Sequence, residues 1–190
     1  MENDKTLNQY NRVIAHCKNL FVKKAKDYGT SWMILRMPSV TDQIGIKADR
    51  IRSIQEKQVN KVGDSIESEF VGIINYCIIA LLLAEKENFP DKNLSDLSIL
   101  SAEYDKKVDF VRDTLLKKNH DYGEAWRKMR ISSMTDLILM KILRLKQIED
   151  NDGKTLVSEG ADANYTDIMN YAVFCLILMT EAGESTLANS

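Results

Sequence analysis

Two Lys-x-x-Arg pairs are the residues of this sequence best suited to bind a phosphate group: Lys47 with Arg50, and Lys141 with Arg144. Each pair lies on or beside an apolar stripe of a predicted helix, where a cation without a partner is very costly. Two alternatives are open. The stems can follow the core while the heads reach water or structural acids, or the heads can contact phosphate. We expect Lys47 and Arg144 to have largely buried stems and a carboxylate or ligand within salt-bridge range.

Acidic residues near the start of a later predicted helix are candidate magnesium ligands: Glu67 and Glu69 in the first half of the chain, Asp162 and Asp167 in the second. Acids in a first helical turn also stabilise the helix dipole, which alone can explain Glu67 and Asp162. Asp167 lies deeper in its helix, so the dipole does not explain it. If the two halves meet at a twofold axis, Glu69 and Asp167 can form one catalytic metal-carboxylate site.

Four further polar or aromatic residues occupy matching positions in the two halves. Asn75 and Asn170 lie in apolar surroundings, where an amide must be hydrogen-bonded, either to the protein or to a ligand. Trp32 and Trp126 close an Asp-Tyr-Gly-x-x-Trp motif. They are either core anchors or a surface on which a nucleotide base stacks.

The elements that must position these residues follow from an internal duplication. When the sequence is shifted by 94 positions, eleven of the 24 residues from Asp27 to Arg50 are identical. With one inserted residue, Asn75-Tyr76 then aligns with Asn170-Tyr171. The first copy covers about 8–86 and the second about 102–181.

Each copy is predicted to form three helices. Their predicted ranges are 6–26, 39–58 and 64–86 in the first copy, and 102–120, 133–149 and 160–181 in the second. The glycine of Asp-Tyr-Gly ends the first helix in a left-handed conformation, and Ser39 and Ser133 start the second. The third helix is apolar nearly all round, so it is expected at the centre. We predict one all-α, pseudo-twofold helical bundle spanning 1–190, with a flexible tail at 182–190.

Composition excludes several classes of protein. The net charge of −2 gives no basic field for an extended nucleic acid. The longest apolar run, Val71–Ala84, is too short to span a membrane, and the polar N-terminus does not resemble a signal peptide. His16 and His120 do not correspond between the copies, so a zinc site is not expected. We predict a cytoplasmic protein that binds a small molecule and that can form a homo-oligomer.

The combination of Asp-Tyr-Gly-x-x-Trp, Lys-x-x-Arg on a helix and an acidic stretch ending in Asn-Tyr resembles the helical nucleotide-modification-associated domain. This family occurs in bacteria and phages and was long catalogued as a domain of unknown function. It is similar in outline to the MazG-like all-α nucleoside triphosphate pyrophosphohydrolases, which hold magnesium with ExxE and ExxD carboxylates. The resemblance implies that the four cations contact phosphates and that the four acids hold magnesium or orient water. At the start of the third predicted helix neither copy has an intact ExxE or ExxD, because Gly72 matches Asp167 and Asn164 matches Glu69.

Two functions from different classes follow. The first is a magnesium-dependent nucleotide-handling enzyme, in particular a nucleoside triphosphate pyrophosphohydrolase with one composite site. The second is a non-catalytic helical module that binds a nucleotide or a protein. They are distinguished by whether Glu69 and Asp167 converge.

Overall fold

The chain is all-α, with three long helices in each copy. The computed structural model describes residues 2–57, 65–89, 94–157, 159–185 and 187, with backbone alone for 2–4 and 118–122. These residues contain no β-strand. The helices are α1 (Glu2–Tyr28), α2 (Met37–Lys57), α3 (Ile66–Ala84), α4 (Leu97–Tyr122), α5 (Ile131–Asp150) and α6 (Ala161–Glu181). Short 3-10 helices lie at Ser31–Ile34, Lys86–Asn88 and Ala125–Lys128.

The predicted glycine stops after α1 and α4 are confirmed, whereas the predicted serine caps of α2 and α5 are wrong. The predicted end of α2 at residue 58 lies outside the described residues. Gly29 and Gly123 follow α1 and α4 with φ of +69° and +61°, values that favour glycine. Ser39 and Ser133 are not N-caps but lie inside the first turns of α2 and α5. The residue before α5 is Arg130, which gives no side-chain cap. These helices begin where the chain leaves the preceding 3-10 turn in an extended conformation, and not at a serine.

The two third helices form the centre, as predicted. α3 and α6 are buried along most of their length and pack against each other, while α2 covers α3 and α5 covers α6. α1 and α4 flank this four-helix core and contact both central helices. Because neither copy could bury its apolar third helix alone, the two copies share one core.

Ion pairs between α2 and α5 reveal the pseudo-twofold relation. Arg52 lies 3.8 Å from Asp136, and Lys146 lies 2.8 Å from Asp42. Under the 94-residue shift these two pairs are equivalent to each other. The partner's number falls along α5 as the number rises along α2, so the helices are antiparallel. Exposed ion pairs of this kind add little to the free energy of unfolding. They do show that α2 and α5 are related by the pseudo-twofold symmetry.

Two features bear on the remaining predictions. Among the described residues α3 is the one helix long and apolar enough to cross a membrane, but 78% of that stretch is buried inside the protein, as in the core helix of a soluble protein. Within the predicted flexible tail, Ser185 and Leu187 are buried, because Leu187 packs into the core. That part of the tail prediction is corrected. Residues 186 and 188–190 lie outside the described residues.

Candidate functional site

The first copy contains a cavity of about 610 Å³, bounded by α1, the first 3-10 helix, α2 and α3. This volume lies within the range of small-molecule sites. Its lining combines aromatic and aliphatic side chains with charged and hydroxyl-bearing ones. The aromatic residues are Phe21, Tyr28, Trp32 and Tyr76, and the polar ones include Lys24, Ser31, Lys47, Ser68, Glu69 and Asn75.

Local structure places Trp32 at this cavity. Gly29 turns the chain after α1, and the following 3-10 helix brings Trp32 to 6.1 Å from Phe21, measured between ring centroids. Phe21 is held in turn against Tyr104 of the second copy, at 5.0 Å. Trp32 is only partly buried and lines the cavity. Partial burial and the nearby phenol of Tyr76 raise the pKa of Tyr28, which stays protonated and able to donate a hydrogen bond.

Lys47 reaches the cavity because Gly72 has no side chain. A Cβ atom at position 72 would lie 2.7 Å from Cε of Lys47, so the lysine stem lies flat against α3. Its Nζ is 3.1 Å from Oε2 of Glu69, and Arg50 bonds the other carboxylate oxygen. Lys47 is 27% exposed and Glu69 7%. The buried carboxylate of Glu69 therefore accepts hydrogen bonds from two cations.

The second copy arranges the same positions differently. Asp167 occupies the place of Gly72 and binds Lys141 directly, with Nζ 2.6 Å from Oδ2. Asn164 occupies the place of Glu69, and its amide donates to the carbonyl of Gly160 at 3.0 Å. Arg144 is therefore left exposed, and no carboxylate of the described residues lies within 4.0 Å of it. The expected buried stem and carboxylate partner are confirmed for Lys47 and wrong for Arg144, because Asn164 carries no charge.

Trp126 does not offer the ring face that Trp32 offers. It is buried and stacks on Phe174 with ring centroids 4.2 Å apart and an interplanar angle of 6°. The guanidinium of Arg127 lies 4.4 Å from the centroid of the same ring. Position 174 matches Ile79, which lines the first-copy cavity. In the second copy, then, a side chain of the protein occupies the surface on which a base would stack.

The structure does not bring Glu69 and Asp167 into one site. Glu69 lines the first-copy cavity, whereas Asp167 lines a cavity at the start of α6 together with the exposed Asp162. Each is engaged by the lysine of its own copy, which is the physical reason that they do not share a cation. Glu67 is buried in the first turn of α3. Within the described ranges no three His, Cys, Asp or Glu residues are grouped so as to hold a metal ion.

The two asparagines also differ. Asn75 donates to the carbonyl of Cys17 at 3.0 Å and accepts from the hydroxyl of Tyr104 at 2.9 Å. Its amide thus satisfies a buried backbone group of α1 and also ties α3 to the other copy. Asn170 is buried as well, but its Oδ1 has no hydrogen-bond partner among the described residues. Both contacts of Asn75 are structural, so its side chain offers little to a ligand.

The sequence analysis did not assign several residues that line this cavity, or the residue that takes the equivalent position in the second copy. Tyr28 and Tyr76 belong to the motifs that were recognised, but they were not assigned to a site. Ile79 and Phe174 looked like ordinary core residues. A comparison of the two copies position by position could have singled them out, because the repeat changes from aliphatic to aromatic there.

Comparison with known proteins identifies the family. The chain matches no curated protein and no solved structure at a significant level. A family model described as nucleotide modification associated domain 1 matches residues 24–83 and again residues 118–179. These two matches cover more than half of the sequence and fit the duplication seen in the fold. The chain therefore belongs to the nucleotide modification associated domain 1 family, of which it carries two tandem copies.

Proposed function

We propose that the protein binds a nucleotide in the first-copy cavity, with the base against Trp32 and the phosphate near Lys47. The observation that carries the proposal is one cavity of suitable size whose lining contains both the partly buried Trp32 and the partly exposed Lys47. The family's description, nucleotide modification associated domain 1, agrees with this class of ligand but names no activity.

The aromatic part of the cavity suits a base. Aromatic side chains stack on any base and contribute roughly 1–3 kcal/mol for each base stacked. Trp32 is fixed by Phe21, which the second copy supports through Tyr104. A surface held by two packed rings is preorganised, so little ordering is needed when the ligand binds.

The polar part of the cavity suits a phosphate. Lys47 and Lys24 line it, and Glu69 holds the Lys47 ammonium in place. Ser31 adds a hydroxyl group that can donate to a phosphate oxygen, whereas the hydroxyl of Ser68 donates to the carbonyl of Ser65 at 2.7 Å. The predicted substrate contacts Lys47 and Trp32 thus both line this cavity, while Arg50 acts on it through Glu69.

The enzyme hypothesis receives less support. A magnesium-dependent pyrophosphohydrolase requires carboxylates that share the ion, and Glu69 and Asp167 line different cavities. We therefore favour the non-catalytic module, with a nucleotide as its ligand and a cytoplasmic location, where free thiols such as the three buried cysteines are usual.

Ile79→Phe is the variant that tests the binding site. The larger ring should fill the first-copy cavity beside Trp32, as Phe174 covers Trp126, and should weaken nucleotide binding at least tenfold. The measurement is quenching of tryptophan fluorescence with nucleoside mono-, di- and triphosphates, each with and without Mg²⁺. Circular dichroism checks that the variant folds.

Phe174→Ile is the matched control. It makes the opposite exchange at the equivalent position and should leave the affinity of the first-copy cavity unchanged. Binding that survives Ile79→Phe but is lost in Phe174→Ile would place the ligand elsewhere and refute the proposal. Release of pyrophosphate from a triphosphate in the same samples would restore the enzyme hypothesis.

A further inference from the structure

A second cavity, of about 750 Å³, lies between the end of α5, the loop that follows it and the start of α6. It is separate from the first-copy cavity and shares no lining residue with it. Three cations line it: Lys141, Arg144 and Lys154. The neutral polar side chains Gln147, Asn151 and Asn164 also belong to its lining, and Glu159 contributes one carboxylate.

The charge of this cavity follows from one difference between the copies. In the first copy Arg50 donates to the carboxylate of Glu69, which lies on α3. In the second copy the position of Glu69 is taken by Asn164, which lines the same cavity as Arg144. The amide N–H₂ of Asn164 is directed to the carbonyl of Gly160. Replacement of a carboxylate by an amide leaves the guanidinium of Arg144 uncompensated.

The loop presents a further cation. Asp152 and Gly153 have φ of +53° and +76°, and the N–H of Gly153 donates to the carbonyl of Ile148 at 2.8 Å, which turns the chain back over the end of α5. The side-chain amide of Asn151 then donates to the carbonyl of Lys154 at 2.7 Å and fixes the backbone there. Lys154 is thus carried to the cavity by a turn with its own hydrogen bonds. Lys141 is engaged by Asp167, so Arg144 and Lys154 are the cations available to an anion.

We infer that this cavity is a binding site for a phosphate group, either inorganic phosphate or the phosphate of an ester. The guanidinium of Arg144 supplies a planar fork that can donate two hydrogen bonds to phosphate oxygens, and Lys154 supplies a point charge. Gln147 adds a neutral donor at the same wall. The site does not depend on nucleotide binding in the first copy, because its residues come from α5, its loop and α6.

Titration of inorganic phosphate, followed by ³¹P NMR at low ionic strength, tests the inference. Arg144→Gln should weaken binding about tenfold, the size expected for one lost charge-assisted contact. Asn164→Glu restores the acidic residue of the first copy and should weaken binding to a similar degree by neutralising Arg144. Lys117→Gln removes an exposed charge on α4 that lines none of the three cavities, and it should change the affinity by less than about twofold.

The outcomes separate the two sites. Loss of phosphate binding in Arg144→Gln and Asn164→Glu, with normal folding and with nucleotide binding in the first copy unchanged, supports the inference. Phosphate binding that persists in both variants but disappears in Lys47→Gln belongs to the first-copy cavity and overturns it. Absence of any phosphate binding by the unmodified protein overturns it as well.

Discussion

At the scale of single residues, the two copies differ most sharply where a glycine matches an aspartate. Gly72 lets the stem of Lys47 lie against α3, so the ammonium reaches Glu69 at the edge of the cavity. Asp167 instead binds Lys141 at 2.6 Å. Both lysines are paired with a carboxylate, but the side chain of Lys47 is 27% exposed and that of Lys141 only 11%.

Gly72→Ala should separate stability from ligand binding. The new methyl group forces the flexible end of Lys47 away from α3, which should weaken nucleotide binding about tenfold. Stability should change by less than about 1 kcal/mol, because the gain in helix propensity offsets the disturbed ion pair. Fluorescence titration and urea unfolding measure the two effects.

Gly45→Ala serves as its control, since it is also a helical glycine. A Cβ atom there would meet Ile142 Cγ2 at 3.6 Å, an ordinary van der Waals contact. The protein should gain up to about 1 kcal/mol with unchanged nucleotide affinity. If Gly72→Ala left the affinity equally unchanged, Lys47 would have no part in binding.

At the scale of helices, a buried tyrosine–asparagine hydrogen bond joins α4 to α3. The equivalent contact, between α1 and α6, lacks this hydrogen bond among the described residues. Tyr104 of α4 donates to Asn75 of α3 in the interior. In the internal repeat, Tyr104 matches Tyr10 of α1 and Asn75 matches Asn170 of α6. Both the hydroxyl of Tyr10 and Oδ1 of Asn170 are buried and have no hydrogen-bond partner within the described part of the chain.

Removal of the two tyrosine hydroxyls should have unequal effects. Tyr104→Phe leaves Oδ1 of Asn75 without its donor and should cost about 1–3 kcal/mol of unfolding free energy. Tyr10→Phe removes a hydroxyl that is already unsatisfied, so it should be neutral or stabilising. Chemical denaturation of both variants measures the difference. Equal losses would mean that the hydroxyl of Tyr10 is satisfied in solution, for example by water.

At the scale of the whole molecule, the core contains ionisable groups that must stay neutral. Cys17, Cys77 and Cys175 are buried and free, and desolvation raises the pKa of each thiol well above its usual range. Burial also raises the pKa of the phenols Tyr10 and Tyr165. The folded protein therefore holds these protons more tightly than the unfolded chain does.

Stability should fall in alkaline solution for this reason. Below pH 8 the thiols are protonated in both states, and their contribution is fully present. Above the unfolded thiol pKa of about 8.5 the unfolded chain loses protons that the folded protein keeps. Each thiol then removes roughly 1.4 kcal/mol per pH unit. Melting temperatures between pH 7 and pH 11 measure this decline, and replacement of Cys77 by Ala should make it shallower. A flat profile up to pH 10 would contradict the assigned burial.

The fold was predictable from sequence to a greater degree than the site was. The repeat and the apolar third helices determine the architecture, because an apolar surface of that extent has to be covered by its counterpart. Within the described residues Arg144 lacks the carboxylate partner that Arg50 has because Asn164 replaces Glu69, and the burial of Trp126 depends on its stacking with Phe174. Such contacts are set by side-chain packing in three dimensions, to which helical periodicity is insensitive. For the same reason the pairing of Glu69 with Asp167, plausible from symmetry, did not form.

The antiparallel contact of α2 with α5 has a consequence for how this protein could have changed over time. Two separate chains related by a true twofold axis must carry every substitution twice, once in each subunit. A single chain with both modules is free of that constraint, so one module can vary while the other keeps its role. The exchanges at positions 69 and 164, 72 and 167, and 79 and 174 are of this kind. A symmetric homodimer cannot combine a partly exposed tryptophan in one module with a buried one in the other. A single chain that carries both modules can.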